Sequence, residues 1–186
     1  RPAEAIRQAA AAGIDHIGEN YLLEAQQKMA ELRDLDLCWH FIGPIQSNKT
    51  RAIAESFNWV HSVDRLKIAQ RLNDQRPSHL PPLQVCLQVN ISGEASKSGI
   101  PVEDLAALAC ATSQLPALQL RGLMAIPKAT KDFEQQREAF SRLQQALSAL
   151  QANHPQMDTL SMGMSADMAA AIAQGATMVR IGSDIF

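Results

Sequence analysis

The chain has 186 residues, 46% of them hydrophobic and 19% charged, a makeup that suits one globular domain with a substantial core and leaves no room for a second large domain. A formal net charge of −2 lacks the basic excess that neutralises a phosphate backbone, which argues against nucleic acid as a partner but not against a phosphorylated small molecule. No apolar run approaches a membrane span and Arg1-Pro2-Ala3-Glu4 does not resemble a signal peptide, so a cytoplasmic protein without a membrane partner is expected.

Along the chain, alanine-rich helical stretches alternate with short β-branched runs, and no linker or low-complexity segment interrupts them. That is α/β organisation. The first helix, Ala3 to Ala12, stops at Gly13, a suitable C′ residue, and a strand follows around His16-Ile17. Cys38 to Ile42 and Trp59 to Val63 read as the next strands. Asp64 is placed to cap the following helix, with Leu66, Ala69 and Leu72 on its buried face. Leu83 to Ile91 is the clearest strand. A helix near Val102 to Ser113 leads to the strand Leu118 to Ile126, closed by Pro127.

The next helix sets Phe133, Phe140, Leu143, Leu147 and Leu150 at helical intervals, a core-facing stripe. Thr159 to Met162 and Met178 to Ile181 are the last strands, separated by a helix from Ala166 to Gln174 that ends at Gly175. An internal echo links the two ends, since an alanine-rich helix, a glycine, a strand and then Ile17-Gly18 recur before Ile181-Gly182. Seven strands, a helix at the start and a stop at Phe186 fit a (β/α)8 TIM barrel lacking its first strand and closing helix. Such barrels need about 250 residues, with a lower limit near 200. Residues 1–186 are therefore expected to form one barrel domain truncated at both ends.

Barrels carry their chemistry on the loops that leave the C-terminal ends of the strands. Polar, glycine-containing segments recur there: Gly18-Glu19-Asn20-Tyr21, His40 through Lys49, Asn90 through Gly99, Ser161-Met162-Gly163-Met164-Ser165 and Arg180-Ile181-Gly182-Ser183. Ser165 stands where a strand passes into a helix, an N-cap position with backbone N–H groups facing outward, and Gly182 lets amides approach an anion closely. The loops after the last two strands of a barrel are a frequent phosphate site. As a structural device alone, Ser165 would simply cap its helix and Asp167 complement the dipole.

Arg180 lies in the apolar run Met178-Val179-Arg180-Ile181, where a charge needs a partner: an ion pair, or a ring nitrogen or phosphate inside the barrel mouth. The five histidines show no HxH, HxxxH or HxxEH spacing, and no metal site is expected. Among them His40 alone is placed near the mouth. The three cysteines, Cys38, Cys86 and Cys110, are widely spaced among apolar neighbours and read as buried, reduced structural thiols. Walker, Rossmann and G-x-S-x-G motifs are absent.

Several segments, in this order, resemble the pyridoxal-phosphate homeostasis family across nearly the whole chain. They are Gly18-Glu19-Asn20-Tyr21, Trp39 through Lys49, Asn73 through Pro77, Ser96-Lys97-Ser98-Gly99, Arg121 through Pro127, Ser161 through Ser165 and Val179-Arg180-Ile181-Gly182. The resemblance implies a barrel of the alanine-racemase type that binds pyridoxal 5′-phosphate at its C-terminal mouth. It assigns the phosphate to Ser165 and the amides of Gly182 and Ser183, the pyridine nitrogen to Arg180, and the ring pocket to Asn20 and His40. Met162 and Met124 would be apolar walls.

The family's Schiff-base lysine would lie two residues before Arg1, so no catalytic residue is assigned within the chain, and Lys49 and Lys97 do not take the role. The implied function is a monomeric, non-catalytic carrier in vitamin B6 homeostasis that passes the cofactor to apo-enzymes. Three rivals remain. An amino-acid racemase would need a second acid–base group, and the chain's single tyrosine is Tyr21. A sugar-phosphate barrel enzyme would use strand-end carboxylates, here Glu19 and Glu94. A degenerate fragment would expose strand edges.

Overall fold

The computed structural model describes residues 1–93, 98–182 and 185. Helices and strands alternate as α1 (Ala3–Ala11), β1 (His16–Glu19), α2 (Leu22–Glu31), β2 (Cys38–Phe41), α3 (Thr50–Ser56), β3 (Trp59–Val63), α4 (Leu66–Gln75), β4 (Leu83–Gln88), α5 (Leu105–Ser113), β5 (Leu118–Met124), α6 (Phe133–Gln151), β6 (Thr159–Met164), α7 (Met168–Ala173) and β7 (Met178–Arg180). The seven strands make one sheet in sequence order, and each pairs in parallel with the next. This is the connectivity of a (β/α) barrel, with β1 and β7 as its two free edges among the described residues. Residues of both edges line one cavity, so the edges face each other across a seam. Among the described residues no helix is long and apolar enough to cross a membrane.

Strand alternation divides the apolar residues into two layers. The larger layer lies between strands and helices and includes Ile17, Phe41, Val60, Val85, Leu87, Leu120, Leu123 and Leu160, packed on Ile53, Leu72, Leu108, Phe140 and Leu143. The smaller layer, Trp59, Cys86 and Met124 with Cys38 and Met178 against it, fills the barrel interior. Arg121 closes this inner layer: its guanidinium lies 5.0 Å from the Trp59 ring, donates to Gln84 and pairs with Asp158 at 2.6 Å.

The two helix ends that carry the internal echo are built alike. At the end of α1, Gly13 (φ 91°) donates to Ala10 and Ile14 donates to Ala9; at the end of α7, Gly175 (φ 81°) donates to Ile172 and Ala176 donates to Ala171. Both are Schellman closures, in which a left-handed glycine turns the chain back toward the next strand.

Several expectations need correction. Arg65, in extended conformation, holds the N-cap position of α4, while Asp64 accepts from the Arg65 guanidinium instead of capping the helix. Leu66 and Phe133 are exposed because each is the first residue of its helix, before the helix reaches the sheet; Ile68 takes the buried place in α4, and Phe133 lies under the Arg137 guanidinium. Cys86 is buried, Cys38 half-buried and Cys110 exposed on α5, and all are free thiols. Helices α2 and α3 have no counterpart in the sequence reading, because α2 buries Ala25 alone and α3 is a 7-residue helix.

Candidate functional site

Inside the barrel, inward-facing residues of five strands form a continuous line of polar groups. His16 on β1 meets His40 on β2 (Nδ1 to Nε2, 2.8 Å), and His40 meets His61 on β3 (Nδ1 to Nε2, 2.8 Å). His61 meets Ser161 on β6 (Nδ1 to Oγ, 2.7 Å), and the Arg180 Nη1 on β7 donates to the same Oγ at 2.8 Å. Arg180 also donates to the carbonyls of Ser161 (2.9 Å) and Ala125 (3.1 Å), so its fork is held from β6 and from the end of β5. His40, His61 and Ser161 are buried, and the His40 ring stacks on Trp59 at 5.4 Å.

Burial sets the charge states. It pushes the His40 imidazole down to about 3 and His61 well below its usual value, in each case reinforced by a neighbouring histidine. Burial likewise pushes the Cys38 thiol up to about 11 and Cys86 to about 12, so neither is a thiolate at neutral pH. Arg180 is lowered by burial, with Asp167 opposing, and an arginine stays protonated through such a change. The interior therefore holds neutral imidazoles and a fixed guanidinium.

The chain of groups borders a cavity of about 400 Å³ lined by Gly18, His40, Ile42, His61, Met178 and Arg180, among others. A second cavity of about 280 Å³ follows the free edge of β1 and is bordered by Asn20, Ile181 and Gly182. The structure thus brings His40 and Arg180 to one cavity and Asn20 and Gly182 to the next. Met164 pairs with Arg180 in the sheet, so Ser165 and Gly182 lie on adjacent chain exits.

Ser165 does not cap α7. Asp167 holds that position, and its carboxylate accepts from the Met164 amide at 2.6 Å, which turns the chain before the helix begins. Met162 is fully buried in the strand–helix core and does not line the cavity, because Ser161 takes the inward face of β6. Met124 does belong to the inner layer. Ser183 and Glu94 lie outside the described residues. Glu19 is turned toward α2, where Lys28 donates to it at 2.6 Å in a buried pair.

Two features escaped the linear reading. His16 and His61 join His40 because parallel register brings residues distant in sequence side by side, whereas a spacing search along one strand finds nothing. The same register gathers His16, Cys38 and His40 with their ligand-capable atoms within 4.8 Å, a grouping that in-chain motif spacing does not reveal. In this structure those atoms bond to one another, Cys38 Sγ lying 3.4 Å from His40 Nε2.

Comparison with known proteins identifies the family. Residues 2–186 match the family described as alanine racemase, N-terminal domain. A Pseudomonas aeruginosa protein described as a pyridoxal phosphate homeostasis protein is 65% identical over 186 residues, covering 100% of this chain and 80% of its own length. A protein of Escherichia coli K12 with the same description is 52% identical over 189 residues, covering 100% of this chain and 81% of its own. The structure of PipY from Synechococcus elongatus with pyridoxal phosphate bound superposes with a TM-score of 0.92 at 41% identity, covering 100% of this chain and 88% of PipY. A Clostridium difficile alanine racemase, 15% identical, shares the fold with a TM-score of 0.82 over 99% of this chain and 48% of its own. The chain belongs to the pyridoxal phosphate homeostasis proteins, within the alanine racemase N-terminal-domain family.

Proposed function

We propose that this chain binds pyridoxal 5′-phosphate in the barrel cavity and serves intracellular vitamin B6 homeostasis as a carrier without strong catalysis, passing the cofactor to apo-enzymes in the cytoplasm as a monomer. The observation that carries the reading is Arg180, a guanidinium fixed by three hydrogen bonds at the wall of a cavity it shares with the His40 ring. The cavity's volume falls within the range of about 300–1,000 Å³ typical of small-molecule sites. The fit is chemical as well as spatial. Gly18 leaves the β1 wall bare, His40 offers an aromatic face, and Gly182 has no atom near the place of a Cβ, so its backbone is open to an anion.

When bound, pyridoxal phosphate supplies an aldehyde that reacts reversibly with amines. The chain's residues position it and limit what it does. Arg180 would face the pyridine nitrogen and keep it unprotonated, because a pyridinium would be a second cation beside the guanidinium. That weakens the cofactor as an electron sink and favours carrying over catalysis. Ser165, Gly182 and Ser183 would hold the phosphate, with Asn20 and His40 beside the ring. Met162 stays out of this set, since it faces the opposite layer.

The seam between β1 and β7 belongs to the same proposal. We assign it to a further strand of the barrel, the one that the family resemblance expects to carry the amine-bearing lysine. The free edges facing each other across the cavity support this assignment. The racemase reading loses support because Tyr21 is 67% exposed, and the sugar-phosphate reading because Glu19 is already paired with Lys28.

The test is titration of the protein with pyridoxal phosphate by calorimetry, beside Arg180→Met and a sugar phosphate control. Binding that weakens about tenfold or more in Arg180→Met is expected, as for loss of a charge-assisted hydrogen bond. Equal affinity for the sugar phosphate would sink the reading. Alanine in deuterated water should keep its α-proton.

A further inference from the structure

The line His16–His40–His61–Ser161–Arg180 has a direction, and the donor inventory determines it. A guanidinium has donors and no acceptor, so the Ser161 Oγ accepts from Arg180. Ser161 is fully buried, and among the described residues the other partner of its hydroxyl is His61 Nδ1 at 2.7 Å. If His61 donated to Ser161, the hydroxyl hydrogen would be buried without an acceptor, a costly arrangement. Ser161 therefore donates to His61 Nδ1. His61 then carries its proton on Nε2 and donates to His40 Nδ1 at 2.8 Å; His40 in turn carries its proton on Nε2 and donates to His16 Nδ1 at 2.8 Å.

We propose that Ser161 and His61 are positioning residues for Arg180, and that Arg180 in return fixes one tautomer, Nε2–H, through the imidazoles of the barrel interior. All the hydroxyl and ring dipoles then point away from Arg180. Their negative ends face the guanidinium and hold its fork without a carboxylate in direct contact among the described residues, so Arg180 keeps its charge for the ligand. A carboxylate in the place of Ser161 would hold Arg180 as well but would neutralise it. Trp59, stacked on His40, keeps that ring in the plane the line requires. Five strands contribute, so closing the interior and orienting the ligand-facing cation are one event.

The ligand part of this proposal rests on the function proposed above, whereas the tautomer part does not. Long-range nitrogen–proton NMR of the ligand-free protein with labelled histidine reads the tautomer directly. His40 and His61 are expected as Nε2–H forms, and an Nδ1–H form at either ring overturns the proposal. In Arg180→Met, Ser161 is released to accept from His61, and the preference at His61 should disappear although Arg180 does not touch that ring. An unchanged His61 tautomer in this variant also overturns it. Ser161→Ala should bind pyridoxal phosphate about tenfold more weakly, while Ser161→Thr, which keeps the hydroxyl, restores binding. Undiminished binding by Ser161→Ala refutes the positioning role. If the parent protein fails to bind pyridoxal phosphate, the function proposed above falls and the tautomer measurement still decides this one.

Discussion

At the residue scale, the barrel interior keeps two buried imidazoles neutral, and this has a thermodynamic consequence. The folded-state pKa of His40 is about 3, against about 6.5 for a free histidine, and His61 shifts in the same direction. Below pH 6.5 the unfolded chain binds protons that the folded chain refuses. Stability is therefore complete above that pH and falls as the pH drops toward the folded values, by about 1.4 kcal/mol per pH unit for each proton. Between pH 7.5 and pH 5.5 the two histidines should together cost about 2–3 kcal/mol, read as a lower urea midpoint. Asp34 and Asp158, both lowered by arginine partners, act below this window. A flat midpoint across the interval would contradict the neutral line. Arg180 was recognisable in the sequence as a charge in an apolar strand, and His40 as a histidine near a strand end. His61 and Ser161 were not, because nothing local distinguishes an inward polar residue that finds a partner on another strand from one that does not.

At the element scale, glycine punctuation was the most dependable signal. Gly13 and Gly175 were both legible as helix ends, and both close their helices in the same left-handed conformation. At Gly13 a Cβ would meet nothing within 4 Å, so the penalty of Gly13→Ala comes from backbone conformation alone. About 1–2 kcal/mol of destabilisation is expected in chemical denaturation, with the fold retained. A neutral result would show that the left-handed turn is dispensable. Caps read less well: Asp64 and Ser165 both stand one or two residues too early, since a side chain that suits a cap is found wherever chain direction changes. The long stripe of α6 held at Phe140, Leu143, Leu147 and Leu150, where the helix lies on the sheet, and failed at its first residue.

At the scale of the molecule, the seam governs behaviour. The edges of β1 and β7 have no strand partner beyond them in the seven-stranded sheet, and an edge of this kind exchanges its amides readily and invites pairing with other chains. If a further strand fills the seam, amides at Gly18 and Val179 should exchange about tenfold more slowly in a longer chain that includes it than in residues 1–186. Equal exchange in the two forms would refute the assignment.

The α/β organisation and the seven strands of a barrel were determined by the sequence alone, because they rest on period and punctuation, which are local, although the short helices α2 and α3 left no such signal. The family was legible as well, through long segments in a fixed order. Tertiary structure alone decided which polar residues share the interior, why Glu19 is a structural partner of Lys28, and why Met162 faces away from the cavity. Each of these depends on strand register and on which face of a strand turns inward, and a shift of one residue reverses that choice without altering local composition.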